Sequence, residues 1–195
     1  AAAGGLELVE GGPGGDLDKS MFGSPGSIPL LTHGDLKMAQ STAMESYLSI
    51  LAFPDLSPAM RAVDAQFCCI KEDACAAIYK IYFNPAMKEK IAAQDIAEEM
   101  APVINKWYGV VEAIIPADGF VNGQAYPTAA DMVVVNFLNA FHVFKAGVIA
   151  SKIDVAATFP KLKALSERTA AFPAVAAYLE KSTTMGANVM GLPTQ

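Results

Sequence analysis

The sequence is poor in cysteine and histidine, with three of the one and two of the other in 195 residues. Cys68, Cys69 and Cys75 are odd in number and crowded into one segment. That excludes a disulfide framework and reads as reduced thiols on a helix, in a reducing compartment. Cys68 and Cys69 would point about 100° apart on a helix, and neither His33 nor His142 stands at a spacing that zinc uses, so no metal site is expected. Basic charge is also scarce. Fourteen Lys and Arg face twenty Asp and Glu, for a net charge of -6, and no basic run could neutralise a row of phosphates. Nucleic acid is thereby excluded as a partner. Uninterrupted apolar runs are missing too. The most apolar stretch, Met132 to Ala150, is broken by Asn136, Asn139, His142 and Lys145. A membrane span demands ~18 apolar residues in a row, so the stretch is expected to be one core helix, from Thr128 to about Ala146. No signal segment is recognisable, and the sequence opens Ala-Ala-Ala-Gly-Gly without an initiator Met, which suggests that something ahead of it has been removed.

What is present is core material, with 53% hydrophobic residues and a mean hydropathy of +0.32. Leu6 and Leu8 alternate with Glu residues ahead of the Gly-Gly-Pro-Gly-Gly run at Gly11 to Gly15, which predicts a short strand ending in a loop. Ser27 to Leu31 reads as a second strand, His33-Gly-Asp35 as a turn, and Leu36 to Ala39 as the returning strand of a hairpin. Ser41 stands where a helix N-cap belongs, and the helix runs to about Leu51. Phe53 to Pro58 is linker-like, with Ser57 a cap and Pro58 in the first turn of the next helix. From Pro58 to Ile115 there are two long helical patterns separated at Asn84-Pro85, and no strand signal. After the loop at Phe120 to Thr128 and the core helix, two shorter helices, Phe159 to Ala171 and Pro173 to Ser182, complete the pattern. Thr128 and Asp131 form a capping box, a structural pair.

The hairpin and capped helix, Ile28-Pro29-Leu-Leu then Met38-Ala39-Gln40-Ser41, resemble the second half of the glutathione-binding domain of the glutathione transferase family, nearest to its sigma-like members. Gly119-Phe-Val-Asn-Gly123 with Pro127-Thr-Ala-Ala-Asp131 is similar to the loop and capped helix at the core of that family's helical domain. Phe159-Pro-Lys-Leu-Lys-Ala-Leu with Phe172-Pro-Ala-Val-Ala-Ala-Tyr-Leu is similar to its last two helices. The order and spacing of these segments carry the resemblance across residues 6 to 182. It implies an α+β protein: a partial thioredoxin-like domain at 1–52 with a three-stranded remnant sheet, then an all-α domain of five helices at 58–195. In the family a strand and a helix precede the strand that Leu6 represents, and the Tyr, Ser or Cys that activates the glutathione thiol ends that first strand. Its position would fall ahead of Ala1, so no catalytic residue is carried over.

The resemblance further implies a glutathione site. The bond before Pro29 is the family's cis peptide, which turns the backbone of Ile28 outward to pair with the cysteinyl part of glutathione; an ordinary edge-strand proline is the alternative. Gln40 and Ser41 would hold the γ-glutamyl carboxylate, unless Ser41 merely caps its own helix. Lys19 would pair with the glycine carboxylate, though it is one residue out of register and equally reads as a solvated loop charge. Ser27 replaces a residue that is usually Gln. Tyr79, Tyr82, Phe83, Trp107 and Tyr108 could line the pocket for the electrophile, with core packing the better reading of each. Two functions follow: conjugation or reduction of small apolar electrophiles with glutathione as co-substrate, or a catalytically inactive subunit of this fold in a larger assembly. The expected assembly is a homodimer, or a contact within a larger complex, through residues 58–115, with Phe22 an apolar anchor. The expected compartment is the cytoplasm, or the soluble space of an organelle after removal of a transit peptide.

Overall fold

The computed structural model describes residues 2–7, 9, 18–26, 28–140, 143–183 and 185. A 3-10 turn at Ala2–Gly4 opens the chain and a second, Lys19–Phe22, precedes a hairpin of β1, Leu30–His33, and β2, Leu36–Ala39. The hairpin pairs Leu30 with Ala39 and His33 with Leu36 across a turn at Gly34-Asp35. Helix α1, Ser41–Ala52, follows directly. The helical part comprises α2, Pro58–Tyr82, a short α3, Lys88–Ala92, then α4, Ala97–Ile114, and α5, Ala129–Asn139. Helices α6, Phe144–Ser151, α7, Val155–Thr158, α8, Pro160–Ala170, and α9, Pro173–Lys181, complete it. No strand occurs between Pro58 and Ser182 among the described residues. The architecture is a partial thioredoxin-like unit followed by a helical domain, as the sequence implied, although the described helical part has eight helices, several of them short, where five were expected.

The expected starts are explained by local chemistry. Ser57 accepts a hydrogen bond from the Met60 N–H at 3.2 Å, and Pro58 occupies the first turn of α2, where its missing N–H costs nothing. Residues Phe67, Ile70, Ala74, Ile78 and Tyr82 of α2 and Met100, Ile104, Tyr108 and Val111 of α4 recur every three or four positions and are buried, so the two long helices face each other along these stripes. Against them lies α5, buried nearly all round through Ala130, Val133, Val134, Val135 and Phe137. Tyr108 stacks on Phe137 with ring centroids 4.7 Å apart and donates its hydroxyl to the Phe137 carbonyl at 2.7 Å, which satisfies the phenol inside an apolar core.

Three expectations are corrected. Leu6 and Glu7 form no strand; Leu6 is half-buried against α1 and α9, because the only described sheet is the two-stranded hairpin and Leu6 has no strand to pair with. Leu8 and the glycine run at Gly11 to Gly15 lie outside the described residues. The single helix expected from Thr128 to Ala146 is two, α5 and α6, bent by 49°. The bend lets α6 lie on α4 and α2, where Gly147 approaches so closely that a Cβ there would sit 3.3 Å from Ile78 Cδ1 and 3.4 Å from Ile104 Cδ1. Among the described residues no single helix is long and apolar enough to cross a membrane. Phe22 is buried within its own chain, beneath Lys37 at 5.8 Å, and is not an exposed anchor.

Asp64, buried on α2, joins the two parts. Its Oδ1 accepts from Asn122 Nδ2 at 2.9 Å, Thr128 Oγ1 at 2.7 Å and the Ala130 N–H at 3.0 Å; its Oδ2 accepts from Ser49 of α1 at 3.4 Å. The Thr128–Asp131 capping box is formed as expected. Asp131 also accepts from the Val121 N–H at 2.9 Å, which fixes the loop to the start of α5. Removing Asp64 strands several buried donors at once. Asp64→Ala is expected to cost ~2–4 kcal/mol and to lower the melting temperature by roughly 5–15 °C in a circular-dichroism scan.

Burial pushes the Asp131 carboxyl above its ordinary value, outweighing the hydrogen bonds it accepts from Thr128 and Val121. The folded chain therefore holds this proton to higher pH than the unfolded chain does. That contribution to stability is present below about pH 4 and is lost as the pH rises through the raised folded value. In urea titrations at stepped pH from ~4 upward, the stability of the wild type relative to Asp131→Asn should fall with rising pH. A difference that stays constant would contradict it.

Candidate functional site

The hairpin delivers the chain to α1 through Gln40, whose φ of 73° and ψ of 110° put a non-glycine residue in a sparsely allowed region. Such a backbone costs of order 1–3 kcal/mol and persists where surrounding structure enforces it. Gln40, exposed, is the N-cap of α1, and its side chain makes no capping bond. No acidic residue stands in the first turn either. The positive end of the helix is thus left open. Ser41, expected to be the cap, is the first helical residue, displaced by one because Gln40 makes the turn. Its hydroxyl donates to Glu72 Oε1 on α2 at 2.9 Å.

Glu72 begins a polar seam between α1 and α2. Lys71, nearly buried, pairs with Glu45 of α1 and lies 3.2 Å from Glu72. Burial alone would push the Lys71 ammonium down, but the two carboxylates outweigh it and hold the group above its ordinary value. Neither Glu72 nor Glu45 was expected at the site. The signal available in the sequence is that Asp64 and Lys71 fall on the same three-and-four spacing as the apolar residues of α2, which makes them inward-facing charges in need of partners.

Other expected site residues are placed as follows. The Ile28–Pro29 bond is cis, and Ile28 is 58% exposed at the head of β1. Ser27 lies outside the described residues. Lys19 donates to the Gly26 carbonyl at 2.9 Å, so its ammonium is held within its own loop. The hairpin end and the start of α1 therefore bring Ile28, Pro29, Gln40 and Ser41 onto neighbouring elements. The aromatic set does not converge on a pocket: Tyr108 is fully buried, Tyr82 is buried, and Phe83 is 63% exposed. A cavity of about 530 Å³ lies between α1, α5 and α9 and is lined by none of the five.

A family profile described as the C-terminal domain of glutathione S-transferase matches residues 72–182. The chain belongs to the glutathione S-transferase family. A solved structure of rat hPGDS, a hematopoietic prostaglandin D synthase, complexed with a quinoline has the same fold. This glutathione S-transferase family member superposes on it with a TM-score of 0.63 at 18% identity, over 85% of this chain and 78% of that one. No curated protein matches its sequence significantly.

Cys68 and Cys75 of this family member are not primed as nucleophiles. Burial first, and then the Glu45 carboxylate, push the Cys68 thiol far up, and burial with Glu72 pushes Cys75 up to about 11. Cys69, about 100° round α2 from the buried Cys68, is exposed. Iodoacetamide at pH 8 is expected to modify Cys69 first, with Cys75 roughly a thousandth ionised and Cys68 protected, since the thiolate is the reacting species. Peptide mass mapping over a time course checks this. Modification of Cys68 or Cys75 as fast as Cys69 would contradict it.

Proposed function

We propose that the chain binds glutathione where the hairpin meets α1, and that it conjugates or reduces small apolar electrophiles with glutathione as co-substrate. The observation that carries this reading is the pairing of opposite charges at the start of α1. The open N–H groups of its first turn suit a carboxylate, and Glu72 beside Ser41 suits an ammonium. An α-amino-acid zwitterion such as the γ-glutamyl end of glutathione requires both. Exposed Ile28 at the head of β1 offers backbone groups to the cysteinyl part in the manner of an added strand. In this reading residues 1–52 form the glutathione-binding domain and 58–195 the helical domain. Pro29, Gln40 and Ser41 keep the roles that the resemblance implied, whereas Lys19 would have to leave the Gly26 carbonyl to reach a ligand.

The chemistry would be nucleophilic attack by the glutathione thiolate, which a hydroxyl donor stabilises over the thiol. No residue of this chain is assigned that donor role. A homodimer or larger assembly through residues 58–115 is supported by the exposed Phe83, Val110 and Ile114 on that surface. A reducing compartment, cytoplasmic or organellar, fits three free thiols.

One observation favours the second reading, an inactive subunit of this fold. Ser41 and Lys19, two of the expected ligand donors, already spend hydrogen bonds inside the protein. Calorimetry separates the two. Glu72, with a half-exposed side chain, is expected to lose little stability as Glu72→Gln but to weaken glutathione binding by ~10-fold to ~150-fold. An analogue lacking the γ-glutamyl amino group should bind wild type and variant alike. No heat from the wild type at millimolar glutathione would leave the inactive subunit.

A further inference from the structure

Another cavity, of about 240 Å³, lies where α2, α3 and α6 end and α4 begins, and no described residue of the hairpin or of α1 lines it. It is smaller than the ~300–1,000 Å³ of drug-sized sites, with room for a single ring. Ile91, Ile96 and Ile149 give it apolar walls, and three polar side chains, Tyr82, Gln94 and Lys152, share the lining. Tyr82 is 8% exposed, and its hydroxyl makes no hydrogen bond to any described residue. Tyr108, buried in the same domain, spends its hydroxyl on the Phe137 carbonyl, as buried phenols ordinarily do. The Tyr82 hydroxyl is not among the sealed polar atoms, so it opens to the space that its side chain lines. Burial pushes this phenol up to about 12, so it keeps its proton at neutral pH and is able to donate.

Gln94 and Lys152 close the ends of α3 and α6 with φ of 55° and 57°. Glycine takes this left-handed backbone freely, and other residues are strained there. Both helix ends nonetheless carry a long polar side chain, both at this cavity, and neither side chain is bonded to a described residue. Lys152 is the one charged residue of the described lining. Asp95, Glu98 and Glu99 stand nearby in the chain but do not line the cavity, and Glu99 is held by Lys90 at 2.6 Å.

We propose that this cavity binds a small apolar monocarboxylate, whose hydrocarbon body lies against Ile91, Ile96 and Ile149 and whose carboxylate accepts from the Tyr82 hydroxyl and the Lys152 ammonium. An amine of the same size would meet Lys152 as a like charge, and a plain hydrocarbon would leave both donors bare. The site shares no residue with the start of α1 and does not depend on glutathione binding there.

Calorimetry on the whole chain with benzoate and with benzamide, its neutral counterpart of the same shape, tests this. Benzoate is expected to bind saturably and ~10-fold more tightly than benzamide. Tyr82→Phe removes a hydroxyl without a partner, so it should hold the melting temperature while weakening benzoate ~10-fold or more. Glycine suits the backbone at position 152, so Lys152→Gly should also hold the melting temperature while narrowing the gap between benzoate and benzamide ~3-fold or more. Both variants should leave glutathione binding as it is in the wild type. Benzoate held instead at the open start of α1 would bind both variants as it binds the wild type, and that result overturns the proposal. Equal affinity for benzoate and benzamide, or no saturable heat from benzoate, overturns it as well. The two variants lie on different helices, so either one decides if the other fails to fold.

Discussion

Asp64 is a charge placed where an apolar side chain would ordinarily sit, and the fold is arranged so that it is never without donors. Its carboxylate takes hydrogen bonds from Ser49 on α1, from Asn122 and Thr128 in the loop before α5, and from the backbone at the start of α5. A buried carboxylate with one such partner would be a liability; with donors from three segments it fixes all three relative to α2. Around it, Arg61 holds the carbonyls of Phe53 and Pro54 at 2.7 and 3.1 Å, which fastens the linker between α1 and α2 to the same helix. The position of α1, and with it the candidate site, rests on contacts to α2 that are largely polar.

The same helix carries the rest of that seam. One and two turns beyond Asp64, Cys68 and Lys71 face α1, and Glu72 reaches the start of α1 through Ser41. The α2–α4 contact is a continuous apolar stripe, whereas the α1–α2 contact is a row of charges. An apolar interface tolerates some slippage because dispersion contacts are undirected. Paired charges and hydrogen bonds demand one register. Polar contacts of this kind hold the open end of α1 in a fixed place relative to Glu72.

Much of this arrangement was legible in the sequence where local chemistry decides it. Ser57-Pro58 marks the start of α2, Thr128 and Asp131 mark that of α5, and the turn between Leu30–His33 and Leu36–Ala39 follows from Gly34-Asp35. What could not be read depends on partners distant in the chain. The bend between α5 and α6 answers the need of Gly147 to approach Ile78 and Ile104, which no local signal announces. Gln40 displaced Ser41 from the cap because a side chain with poor capping chemistry adopts a backbone set by the hairpin behind it. Glu72 reads in sequence as an ordinary charge on a long helix, and only the fold brings it to Ser41, thirty-one residues earlier.

The treatment of helix starts across the molecule shows why the beginning of α1 stands apart. At α5 the protein supplies its own carboxylates, Asp131 from within and Asp64 from α2. At α8, whose N-cap Phe159 has no capping side chain, Glu112 of α4 accepts from the backbone N–H groups of Lys161 and Leu162 at 3.0 and 2.7 Å. The long helices α2 and α4 thus each lend a carboxylate to a shorter helix, so that a negative charge and a positive helix end cancel. Glu72 of α2 is placed to do the same for α1, yet the group it engages is the Ser41 hydroxyl, and the N-cap side chain makes no bond to the first turn. The helix end therefore keeps its affinity for an anion while an acidic side chain stands beside it. An internal cap would have abolished that combination, and a ligand bearing both a carboxylate and an ammonium is the kind of molecule that satisfies it.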